Sequence, residues 1–136
     1  MGALPRNQIR GLGMAAALMV AISPVYAFEG EMDAGDPAVQ AERIRFFEQK
    51  VRPILVEKCQ SCHGPEKQKG GLRLDSREGL LQGGETGAVV EPGKPDESPL
   101  VEAVRYEGLE MPPSGKLEEA QIAALTRWVA DGAAWP

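Results

Sequence analysis

The chain has 136 residues, 43% of them hydrophobic and 26% charged, with a formal net charge of −5. An acidic chain of this length lacks the basic stripes that nucleic acid requires, and it suits one small domain with a limited core. Its supply of soft ligands is two cysteines and a single histidine.

Residues 1–27 read as a secretory signal peptide. Arg6 and Arg10 make a basic head, GLGMAAALMVAI is an apolar run too short to span a bilayer comfortably, and Val25-Tyr26-Ala27 suits the cleavage positions. Export to the periplasm or beyond is therefore expected. An uncleaved N-terminal anchor, which would tie the protein to a membrane, is the alternative. No cysteine stands near the cleavage site, which argues against a lipoprotein. Loss of Arg6 and Arg10 makes the mature chain still more acidic, so protein partners with basic patches are expected, unless the acidity serves solubility alone.

Residues 28–38, FEGEMDAGDPA, read as an acidic flexible leader, and residues 39–136 as the domain. Ile44, Phe47, Val51, Ile54 and Leu55 recur at helical spacing, which predicts an amphipathic helix over 39–58. Pro53 interrupts it, so either a bend or a second short helix near Pro53 should lead into Cys59. Asp75 or Ser76 is placed to cap a short helix over 77–81, closed by Gly83-Gly84. The following ETGAVVEPGKPDE lacks helical periodicity and reads as loop. Ser98-Pro99 starts a helix running to about Arg105. In the last helix Leu117 and Ile122 form a hydrophobic staple, Gln121 suits a capping box with Glu118 as the cap, and Gly132 ends it. Strand signals are weak. The expected fold is all-α, with about four short helices and long loops.

Both cysteines and the histidine fall within EKCQSCHGPE, residues 57–66. Thiols at i and i+3 with histidine directly after the second form the c-type haem attachment pattern. Cys59 and Cys62 would each add across a haem vinyl group, and His63 would offer an imidazole nitrogen to iron. Its other ring nitrogen needs an acceptor, expected in a backbone carbonyl of the following loop. One haem c per chain would also staple a small core. As a zinc site the three residues supply too few ligands and converge poorly. A thioredoxin-like pair should stand near a βαβ pattern, and none is seen. A plain Cys59–Cys62 disulfide in a non-haem binding domain remains, but it gives His63 no task.

The sixth iron position has no second histidine to fill it. Beyond residue 27 the chain offers Met32, in the leader, and Met111, in GLEMPPSGK. Two prolines after Met111 favour an extended loop able to hold a thioether, and His/Met ligation is common in cytochromes c. The alternatives are a methionine that only fills core and an open or water-bound iron. Phe46, Phe47, Ile54, Leu55, Leu125, Trp128 and Val129 are candidates to wall the ring, or else plain core. Arg73, in GGLRLD, is a candidate partner for a haem propionate, or else an exposed arginine without a partner.

CQSCHGPEKQKGGLRLDSREGLLQGGE, EPGKPDESPLVEAV, MPPSGKL and RWVADGAAWP fall in the order that resembles the planctomycete-type cytochrome c domain, over roughly residues 46–136. The resemblance implies a class I-like cytochrome c fold around one covalently bound haem. It further implies Cys59 and Cys62 as anchors, His63 as proximal ligand and Met111 as distal ligand. Such a domain suits a one-electron carrier rather than a catalyst. It usually belongs to much larger exported proteins, so this chain is either a stand-alone carrier or an electron-entry module of an enzyme whose catalytic domain lies elsewhere. Glu118 stands where the family often has a better helix cap.

Overall fold

The computed structural model describes residues 35–136. The expected signal peptide, the leader up to residue 34 and Met32 lie outside them. Asp36 takes extended backbone angles and its carboxylate accepts the Ala38 N–H at 2.7 Å, with Pro37 in the first turn. That capped start opens α1 (Pro37–Phe46), so the last two residues of the expected leader are helical. Proline at a helix start gives up a donor that would be orphaned anyway.

The chain then stays helical as far as Cys59, by an unexpected route. A π-helical turn, Phe47–Val51, follows α1; a short α segment, α2 (Arg52–Ile54), follows that; and a second π turn, Leu55–Cys59, completes the rod. Pro53 lies in the first turn of α2, so the second of the two expected outcomes is close to what is seen. The physical reason is the proline ring. It has no N–H to give and would collide with the carbonyl four residues back, and the wider π turn before it relieves the collision. The Arg52 N–H bonds the Phe47 carbonyl, and its guanidinium grips Glu48 at 2.7 and 2.9 Å.

Ser76 caps α3 (Arg77–Gln82) by accepting the Gly79 N–H at 3.1 Å, and Gly83 closes it. Ser98 occupies the cap position of α4 (Pro99–Arg105), but its hydroxyl is turned elsewhere. It accepts from Glu91 N at 2.9 Å and donates to Lys94 O at 2.8 Å, tying the preceding loop. α5 (Glu119–Ala130) starts with the Gln121 side chain accepting the Glu118 N–H at 3.2 Å, the expected arm of a capping box. It ends in a Schellman turn: Ala133 N bonds Trp128 O and Gly132 N bonds Val129 O. Gly132, at φ 96°, supplies the left-handed backbone this turn needs. Among the described residues the remaining pairings are two isolated bridges, and no strand forms.

The rod packs on α5 through its first π turn, and α4 packs on α5. Phe47, Val51 and Leu55 are fully buried with Leu125, Trp128 and Val129. The Phe47 ring stands 5.8 Å from Trp128 and 4.5 Å from Trp135, whose segment is held by Trp128 Nε1 donating to Ala134 O at 2.8 Å. Each such side chain contributes about 1.5–3 kcal/mol by leaving water. Phe47→Ala should therefore cost about 3–5 kcal/mol, transfer and cavity together. Urea unfolding should show this as a lower midpoint at unchanged slope.

Candidate functional site

The last π turn of the rod delivers Cys59, where the backbone tightens. Gln60 N bonds Leu55 O at 2.9 Å; Cys62 N and His63 N then both bond the Cys59 carbonyl, at 3.1 and 2.9 Å. Positions i, i+3 and i+4 of a helical turn share one face, so Cys59, Cys62 and His63 are presented together. The following loop folds back onto the turn. Lys69 N bonds Cys62 O, Leu74 N bonds His63 O, and the Gln60 amide donates to Leu74 O at 3.2 Å. Gly64 is needed there, because a Cβ would collide with the Gln60 carbonyl oxygen.

Neither cysteine is in a disulfide. Cys59 packs against the core, and burial pushes its thiol up to about 11. His63 is half-buried, and its Nδ1 is fully enclosed without a hydrogen-bond partner. The acceptor expected for this atom in the following loop is therefore not supplied. The carbonyls of Cys62, His63, Lys67, Gln68 and Lys69 each accept a backbone N–H, and no carbonyl of the loop accepts from this nitrogen. Among the described residues no three His, Cys, Asp or Glu side chains converge on one metal position. Two free thiols and an imidazole on one face, with no shared focus, fit covalent attachment of a flat ligand better than chelation of a bare ion.

Arg73 is not a free surface cation. Its Nε and Nη2 bind the two oxygens of Asp75 at 2.9 and 2.6 Å, and the guanidinium holds the Asp75 carboxyl below its usual range. Met111 lies in the connection from α4 to α5, half-buried, with a cis peptide to Pro112. Its N–H donates to Ala103 O at 3.1 Å, and the Tyr106 hydroxyl donates to Pro112 O at 2.6 Å. A polar cleft of about 400 Å³ has Glu57 and Lys58 on one wall and Pro112 with Ser114 to Leu117 on another. The segments that carry Cys59 and Met111 are thus neighbours, although far apart in sequence. A second cleft, about 310 Å³, runs between α1 and α5. Neither cleft is lined by Cys59, Cys62, His63 or Met111.

The candidate ring-walling residues divide. Phe47, Ile54, Leu55, Leu125, Trp128 and Val129 pack against one another as core, and Phe46 sits at its edge under the Arg127 guanidinium, 4.3 Å from the ring centroid. Sequence reasoning missed Gln60, Gly64, Asp75 and Tyr106. A glycine directly after His63 was a usable signal; nothing local marked Tyr106.

Residues 59–115 match the family model described as Planctomycete cytochrome C. The match supports a cytochrome-type domain over that segment. It begins at the first cysteine of the domain and ends just beyond Met111, so all five candidate site residues fall inside it. No curated protein and no solved structure matches the chain.

The raised Cys59 thiol has a measurable sign. A thiol is nucleophilic only as thiolate, so alkylation of Cys59 in the folded, reduced, cofactor-free protein should stay slow until pH nears 11. In urea the dependence should fall back toward the ordinary thiol range, near 9. Peptide mapping after timed iodoacetamide pulses at several pH values checks both.

Proposed function

We propose that this protein is an exported monohaem c-type cytochrome that transfers single electrons, with His63 and Met111 as axial ligands. The observation that carries the reading is the turn at Cys59–His63, which presents two free thiols and an imidazole on one face inside a cytochrome-type segment. Cys59 and Cys62 would hold the porphyrin edge as thioethers. Haem bound there would supply a reversible Fe(II)/Fe(III) couple, and with both axial positions filled it would suit electron transfer rather than substrate binding.

The chain's own groups do the rest. His63 offers Nε2, because Nδ1 is enclosed within the protein. The Met111 thioether is brought from the far side of the sequence by a loop bonded to α4 and bordering the rod's end. Arg73 retains Nη1, unused by Asp75, for a propionate oxygen. The acidic balance favours redox partners with basic patches, and the basic head followed by an apolar run in residues 1–27 supports export.

A pyridine haemochrome spectrum and an intact mass test the proposal on protein secreted from a host with c-type maturation. A c-type spectrum and the mass of residues 28–136 plus one haem are expected. A colourless chain two hydrogens lighter than its reduced form, from a host that matures other cytochromes, would replace the proposal with the disulfide reading. Two variants separate attachment from ligation. Cys59→Ala with Cys62→Ala should carry no haem through denaturing electrophoresis. Met111→Ala should keep covalent haem yet lose the near-infrared Met–iron charge-transfer band.

A further inference from the structure

Residue 106 is the first position past α4, and its backbone is left-handed, at φ 64° and ψ 37°. Helices commonly end this way, but with glycine or asparagine, because other side chains crowd the backbone there. A tyrosine in this conformation is disfavoured unless its side chain gains something. Here it does. The left-handed turn sends the chain through Glu107–Glu110 and back, and the phenol hydroxyl reaches the Pro112 carbonyl at 2.6 Å.

The bonds around this loop bracket one residue. Glu107 N bonds Glu102 O at 3.1 Å and closes the turn. Met111 N bonds Ala103 O at 3.1 Å and fixes the near side of Met111. The tyrosine hydroxyl then fixes the carbonyl immediately after it. The Pro112 carbonyl also accepts the Gly115 N–H at 3.3 Å, a bond within its own turn, so the hydroxyl is what ties the far side of Met111 back to the end of α4.

We propose that Tyr106 is a positioning residue for Met111, its hydroxyl clamping the loop that presents the thioether. The role rests on the reading of Met111 as distal ligand. The hydroxyl bonds the Pro112 carbonyl, so Tyr106 acts on Met111 through the backbone.

The test uses the secreted, haem-loaded protein. Tyr106→Phe keeps the ring and removes the donor. Covalent haem content and helical circular dichroism should match the parent. The ferric Met–iron band should titrate away at lower pH, and imidazole should displace the sixth ligand with an apparent affinity raised roughly 3- to 10-fold, the share one net hydrogen bond carries. Tyr106→Asn, which tolerates the left-handed backbone, serves the same test if the Phe variant fails to accumulate. An unchanged band, alkaline midpoint and imidazole affinity in these variants, beside a Met111→Ala protein that has lost the band, overturns the role of Tyr106 alone. A Met111→Ala protein that keeps the band overturns the ligand reading and this role with it.

Discussion

Phe47 is held between two tryptophans, and the placement of the rest follows from that grip. Trp128 belongs to α5 and Trp135 to the tail, so one ring joins the rod, the last helix and the C-terminal residues. Arg52 closes the cluster from outside, its guanidinium 4.8 Å from the Phe47 centroid while bonded to Glu48. The turn at Cys59 is the continuation of the rod, and the Met111 loop is the approach to α5. Fixing the rod against α5 therefore fixes the two halves of the candidate site relative to each other.

Elements with explicit end signals were legible in the sequence. Ser76 with Gly83, Ser98 with Pro99, and Gln121 with Gly132 bound α3, α4 and α5 close to where they occur. The turn at Cys59–His63 stood out as a candidate site because haem attachment would demand that fixed spacing. Less was readable where one residue admits several backbone solutions. Pro53 announced a disturbance, but the apolar spacing around it does not distinguish a kink from a widened turn. Ser98 announced a cap, yet its hydroxyl found better partners in Glu91 and Lys94. Tyr106 gave no sign at all, since a left-handed position is normally announced by a small residue.

The loop after His63 is held by its own backbone, several of its carbonyls accepting its own N–H groups, while the imidazole Nδ1 stays enclosed and unpaired. A buried polar atom in that state costs roughly 1–3 kcal/mol. The backbone that carries His63 is thus well ordered, while the ring's second nitrogen is left without a partner.

The two π turns carry a consequence for how this rod can vary. Each accommodates one residue more than an α-helical turn, and each residue of an α-helix advances the direction of its side chain by about 100°. Loss of a single residue from Leu55–Cys59 would leave a sound, even more regular helix, and Phe47 would keep its tryptophans. A π turn spreads over five residues about the angle that an α-helix covers in four, so the thiols and imidazole beyond would keep nearly the same direction. The widened turn thus absorbs its extra residue locally, and the heading of the site is a property of the whole rod rather than of that one residue.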